Sequence, residues 1–157
     1  MAKLYLLLIC FCVFSCLDTE KESTPDIQAD HSLTAKQEII NAEQAMSKMA
    51  VEEGFGKSLL AFAADSMIKP ENGRHPVIGK KALEEYFAKG EGTKAISWVP
   101  THAEAAKSGD LGYTFGNWKL ENPDTSIYGN YFTAWKKQPD GTWKWTIDGG
   151  NNTPPPE

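Results

Sequence analysis

Cysteine is scarce in this chain and confined to one end. Three occur in 157 residues, Cys10, Cys12 and Cys16, and none follows. An exported domain built on disulfides would carry an even set through its body, so neither a disulfide framework nor thiol catalysis is expected. Positive charge is also short, with 16 Lys and Arg against 21 Asp and Glu and a net charge of −5. Phosphate backbones and anionic lipid surfaces require clustered Lys and Arg, so neither a nucleic-acid partner nor a polybasic membrane contact is expected. Only three histidines occur, His31, His75 and His102, spread singly, and no metal site follows from them. No Gly-x-Ser-x-Gly elbow appears, which removes the usual serine-hydrolase signal. Gly56-Lys57-Ser58 has the ending of a phosphate loop, but Val51 stands where its first glycine belongs. It also follows a helical pattern rather than a strand, so no phosphate cradle and no cofactor are signalled.

Long hydrophobic runs are missing too. The longest, Leu4 to Phe14 behind Lys3, falls short of the roughly 20 residues a spanning helix needs. One positive charge, a short apolar run and a small residue make a secretion signal. Its ending, Val13-Phe14-Ser15-Cys16, resembles the bacterial lipobox, in which the cysteine is lipidated and becomes the new N-terminus. The expected organisation is a lipoprotein signal peptide at 1–15 and a flexible tether at 16–33. A folded domain follows at 34–150, then a disordered, proline-rich tail at 151–157. The tether is acidic and nearly free of large apolar residues, so burial cannot offset its ordering entropy. The implied location is the cell envelope, with the membrane contacted through the lipid alone.

Inside the domain, helices come first and strands afterwards. Thr34-x-x-Gln37 has the form of a capping box, and Ile39, Ala42, Met46, Met49 and Ala50 recur behind it at helical spacing. Gly54 and Gly56 end that helix; shorter ones are expected over Lys57 to Ala64 and Lys80 to Lys89. The period then changes to two, giving strands over Ile96 to Ala106, Tyr113 to Leu120, Gly129 to Lys137 and Thr142 to Asp148. Ser108-Gly109-Asp110 and Gln138-Pro139-Asp140-Gly141 close two hairpins. In the second, Trp135 is expected to face Trp145, and Asp148 to sit opposite Phe132. Helices followed by an antiparallel meander read as α+β.

Trp98-x-Pro100, Ser108 to Gly116 and the long motif Gly129 to Lys144, ending Ile147-Asp148, resemble the DUF4440 family of the NTF2-like superfamily. That superfamily also holds SnoaL-like cyclases and ketosteroid isomerases. The resemblance covers about residues 34 to 150. It implies an NTF2-like cone, a curved antiparallel sheet wrapped around N-terminal helices with a central pocket, often paired as a homodimer through the sheets. It carries over no catalytic residue, because none of the family's active-site motifs is matched.

Candidate chemistry therefore comes from the residues. His102 and Glu104 alternate on the face that carries Trp98 and Pro100; if that face lines the pocket, His102 is a base or polar anchor, and otherwise it meets solvent or a partner. Asp148 at an apolar pocket mouth would have its pKa raised by desolvation, which suits proton abstraction; otherwise it only accepts hydrogen bonds from the Gly149-Gly150 turn. Tyr86, Trp98, Tyr113, Trp118 and Trp135 form either a stacking wall for a flat ligand or plain core and interface. The leading expectation is a lipid-anchored envelope domain that binds a small apolar molecule or a partner protein, with no identifiable catalytic centre. The alternative is a small-molecule isomerase, cyclase or hydratase with Asp148 or His102 as general base.

Overall fold

The computed structural model describes residues 29–88 and 92–156. The leader, Cys16 and residues 17–28 of the tether lie outside them. The chain opens with α1 (Ser32–Glu53), α2 (Phe55–Phe62) and the strand β1 (Ala63–Lys69). The short strand β2 (Val77–Ile78) and helix α3 (Lys80–Phe87) follow, then the meander β3 (Ile96–Ala105), β4 (Leu111–Leu120), β5 (Ile127–Lys137) and β6 (Trp143–Thr153).

α1 buries Ala35, Ile39, Glu43, Met46, Ser47 and Ala50, a helical stripe with two polar members. The expected capping box does not form. Gln37 turns instead to Asn41 at 3.0 Å, and the first turn is served from outside the helix, where the Ser32 N–H and hydroxyl both donate to Asp30 Oδ1 at 3.0 and 2.6 Å. At the other end Gly54, with φ of 114°, turns the chain directly into α2.

The six strands form one open sheet in the order β2-β1-β6-β5-β4-β3. The expected cone, a strongly curved and wholly antiparallel sheet wrapped around the helices, is corrected here. β1 pairs parallel to β6, so the sheet is mixed, and its edge strands β2 and β3 do not meet. The physical reason is β1 itself. Ala63 to Lys69 shows no clean alternation, with burial running buried-buried-exposed-exposed-buried, so period-two counting passes over it. A parallel pair also cannot come from a hairpin; β1 reaches β6 only after the whole intervening meander.

Within that meander the pairing is regular. Trp135 faces Trp145, as the hairpin arithmetic expects, and the Gln138 N–H closes the turn on the Thr142 carbonyl at 2.7 Å. The helices cover one sheet face, and between them lies a tryptophan-rich core. Trp135 and Trp145 are fully buried, each removing about 150–250 Å² from water, an upper-bound gain of roughly 4–6 kcal/mol apiece at ~25 cal/mol per Å². All five indole N–H groups find an acceptor: Trp98 and Trp135 on Glu43, Trp118 on the Asn130 carbonyl, Trp143 on Glu38 and Trp145 on the Leu59 carbonyl. The opposite sheet face carries exposed Phe115 and Phe132, paired across β4 and β5, with Tyr113 and Val99 beside them.

Two β-bulges interrupt the strands, and they decide which side chains face the helices. On β3, Pro100 pairs with Gly116 but His102 pairs with Phe115, so one extra residue is inserted at Thr101. On β6, Trp145 pairs with Trp135 but Ile147 pairs with Ala134, so Thr146 is the extra residue. Each bulge reverses every side chain beyond it.

Candidate functional site

Asp148 owes its position to the second bulge. Unbroken alternation would set it opposite Phe132 on the outer face, whereas it pairs with Thr133 on the inner one. There the Thr133 hydroxyl donates to Asp148 Oδ1 at 3.0 Å. Burial drives its carboxyl above the ordinary aspartate value; the nearby Lys69 charge and the Thr133 bond pull it back, and Glu71 adds to the rise. Part of the side chain still reaches a cavity of about 240 Å³ between helices and sheet.

One side of this cavity is apolar, made by Phe55, Leu59, Ile96, Trp98, Trp118 and Tyr131; the other carries Lys69, Glu71, Asn72 and Asp148. Lys69 and Glu71 pair closely with each other. Two glycines create room in the wall. A Cβ at Gly116 would lie 2.7 Å from the Tyr131 ring, and one at Gly129 would lie 2.2 Å from the Trp118 ring. Only glycine lets these rings lie so close to the neighbouring strand.

Tyr131 breaks the pattern of the core. Where every indole N–H is partnered, Tyr131 Oη is buried without a hydrogen-bond partner, the one such side-chain atom among the described residues. Burial, then the charges of Glu43 and Asp148, drive its pKa above the usual tyrosine value, so it stays a hydroxyl donor. An unpaired buried hydroxyl costs about 1–3 kcal/mol. Tyr131→Phe is therefore expected to raise stability by about 1 kcal/mol, read by denaturant unfolding, while weakening whatever function the cavity serves. A loss of stability would mean the hydroxyl has a structural partner.

Behind the wall stands Glu43, at 0% exposure in the middle of α1. Its Oε1 accepts from Trp98 Nε1 at 2.6 Å, and its Oε2 accepts from the Thr114 hydroxyl at 2.5 Å and Trp135 Nε1 at 3.0 Å. Desolvation raises its pKa from 4.5 to about 7, against the Thr114 hydrogen bond, with the Asp148 charge adding to the rise and the two indoles opposing it. One turn further along α1, Ser47 grips the Trp98 backbone from both sides, donating to its carbonyl at 2.8 Å and accepting from its N–H at 3.0 Å. Trp98 in turn meets Phe55 edge-on at 5.9 Å and Tyr131 at 6.5 Å. The wall is thus clamped from α1.

The remaining sequence candidates divide between the cavity, the closed core and the outer surface. The bulge on β3 turns His102 outward at the sheet edge, half exposed, 3.6 Å from Glu104 and 6.0 Å from the Tyr113 ring centroid. Tyr113 is on that outer face as well, and Tyr86 is an exposed residue of α3 whose hydroxyl donates to Glu71 at 3.3 Å. Trp98 and Trp118 line the cavity, while Trp135 lies in the closed core beneath it. The residues that sequence reasoning missed are Glu43 and Tyr131. A glutamate and a serine four residues apart on an apolar helical stripe were the available signal for the first; nothing in the sequence marks Tyr131.

The expectation of a domain that only binds, with no identifiable catalytic centre, is corrected by this geometry. A fully buried carboxyl held by three side-chain donors, next to a half-buried carboxyl with raised pKa and a buried hydroxyl, is the kind of cluster found in catalytic sites. Among the described residues no group of three or more His, Cys, Asp or Glu is placed to hold a metal, and no helix is long and apolar enough to cross a membrane.

No protein-family model matches the chain, and no curated protein matches it. Solved structures do resemble it. A ketosteroid isomerase-like protein from Erwinia carotovora atroseptica superposes with a TM-score of 0.60 at 16% identity, covering 74% of this chain and 95% of that one. An NTF2-like protein of unknown function from Pseudomonas putida gives 0.60 at 19%, covering 76% and 87%. The epoxide hydrolase/cyclase-like enzyme SalBIII, of pyran ring formation in salinomycin, gives 0.51 at 16%, covering 77% and 92%. At these identities the likeness is one of fold: the chain has the NTF2-like, ketosteroid-isomerase-like fold.

Proposed function

We propose that this domain is an acid–base enzyme of the isomerase, cyclase or hydratase type, acting on a small organic molecule at the cavity shared by Asp148 and Tyr131. The observation that carries the reading is their combination: a carboxyl with raised pKa on the lining of one largely apolar cavity, and in the same lining a tyrosine whose hydroxyl is buried and unpartnered. In its ionised form Asp148 takes a proton from carbon next to a carbonyl; the C–H electron pair moves into the carbon framework and onto the carbonyl oxygen. Tyr131 Oη donates a hydrogen bond to that developing oxyanion. Asp148, now neutral, returns the proton at another carbon, or to a departing hydroxyl. A desolvated carboxylate is the stronger base, so the raised pKa serves the first step. Glu43 lies outside the cavity lining and acts by holding Trp98 and Trp135.

The reaction is tested with a β,γ-unsaturated cyclohexenone, following the conjugated product by its ultraviolet absorbance. Turnover above the buffer rate is expected; none with this or related enolisable ketones and β-hydroxy ketones would overturn the reading.

The DUF4440 resemblance over Trp98 to Asp148, the lipobox ending at Cys16 and the exposed Phe115 and Phe132 support an envelope lipoprotein that pairs through its outer sheet face. Native mass spectrometry of the detergent-extracted protein is expected to show a lipid-sized mass on Cys16 and a dimer. An unmodified cysteine would remove the anchor, and a monomer would remove the pairing.

A further inference from the structure

The size, charge and donor content of the cavity restrict what it accepts. An apolar protein cavity of about 150 Å³ is enough for benzene, so a volume near 240 Å³ takes one ring comfortably and two fused rings at most. The wall cannot easily retreat to admit more. Trp98 is fixed through its indole by Glu43 and through its backbone by Ser47, and Leu59 is fully packed beside it. A third or fourth ring would have to lie over the Lys69–Glu71 rim and forfeit burial.

Charge narrows the class further. Among the described residues, Lys69 is the one cation on the cavity lining, and it is already paired with Glu71, while its charge acts on Asp148. Among the described residues no further cation lines the cavity to hold a carboxylate or phosphate, and a ligand anion would meet Asp148 and Glu71. Among the buried side-chain groups described, Tyr131 Oη is the single unpartnered one, so a ligand oxygen that reaches it completes its hydrogen bonding. We infer that the cavity selects an uncharged, flat molecule of one or two fused rings carrying one carbonyl or hydroxyl oxygen, and rejects larger polycycles and anions. This rests on the acid–base reading for its choice of oxygen and tells which substrates that chemistry serves.

Calorimetric titration of the detergent-solubilised full-length protein, against matched empty micelles, tests this with four probes: naphthalene, β-naphthol, β-naphthoate and hydroxypyrene. β-Naphthol is expected to bind at one site, at least tenfold more tightly than β-naphthoate, with hydroxypyrene giving only the micelle signal. Tyr131→Phe should weaken β-naphthol about tenfold and leave naphthalene unchanged. Hydroxypyrene or naphthoate binding as well as β-naphthol, equal β-naphthol affinity in Tyr131→Phe, or no binding of any probe would overturn the inference. The two readings separate cleanly. Selective β-naphthol binding by a protein that turns over no ketone would retain this inference and remove the enzyme; ketone turnover alongside tight hydroxypyrene binding would do the reverse.

Discussion

Asp148→Asn is expected to lower turnover of the cyclohexenone by roughly 10²–10⁴-fold, the usual span for removing a general acid–base group, without unfolding the domain. Asparagine has nearly the same shape, and its amide oxygen can still accept the hydroxyl of Thr133, 3.0 Å away in the native protein. What it loses is the ability to take up a proton. It also loses a charge that burial makes expensive, since desolvation is the largest influence on the Asp148 carboxyl. Its melting temperature should therefore match the native protein's or exceed it by a few degrees. Activity retained in Asp148→Asn would remove the residue from the chemistry; a large fall in melting temperature would make it structural. The strand pattern offers His102 as a candidate base beside Asp148. His102→Ala, on the outer face, is expected to leave turnover unchanged.

The second large effect is on stability and comes from Glu43. Its carboxyl titrates near 4.5 when free and at about 7 when buried, so the folded chain holds a proton that the unfolded chain has released. Where the folded state binds more protons, stability falls as pH rises. The loss begins near pH 4.5 and is complete just above pH 7, amounting to roughly 3 kcal/mol at ~1.4 kcal/mol per unit. Asp148 is raised for the same reason and adds in the same direction. Glu38 is lowered by its bonds to Lys137 and Trp143, so its contribution is lost only on acidification below the glutamate range. The domain should accordingly be most stable at mildly acidic pH and weaker at pH 8. Glu43→Gln keeps an acceptor for Trp98 and removes the titration, which should flatten the profile between pH 5 and pH 8. Glu43→Ala leaves both the Trp98 and Trp135 indole N–H groups without the carboxylate, and a loss of about 2–5 kcal/mol is expected at neutral pH. Urea unfolding at the two pH values reads all three proteins. Parallel pH profiles for native and Glu43→Gln would show that Glu43 does not titrate in this range.

Much of the fold can be read from the residues because its signals are local. The helical stripe of α1, the turn at Gln138 to Gly141 and the facing of Trp135 and Trp145 each depend on a few neighbouring positions. The sheet's overall form does not. Its parallel partner β1 is a seven-residue segment without alternation, and its place beside β6 is set by packing against distant residues. The site was harder still, because its key placements depend on the two bulges. Counting in twos sends His102 inward and Asp148 outward, and single extra residues at Thr101 and Thr146 exchange the two. Glu43 was legible in principle, as a carboxylate on the buried stripe of a long helix. Tyr131 was not, since its distinguishing feature is the absence of a partner in three dimensions.

The most direct test of the account is deuterium uptake by β-tetralone, a two-ring ketone with acidic hydrogens beside its carbonyl, in heavy water at neutral pH. Native protein is expected to catalyse exchange at those positions at least a hundredfold above buffer. Asp148→Asn should return the rate to background, and Tyr131→Phe should slow it by about ten- to a hundredfold, the effect of losing one oxyanion donor. Exchange no faster than in buffer, or equally fast in Asp148→Asn, would contradict a cavity in which Asp148 moves the proton and Tyr131 holds the oxygen.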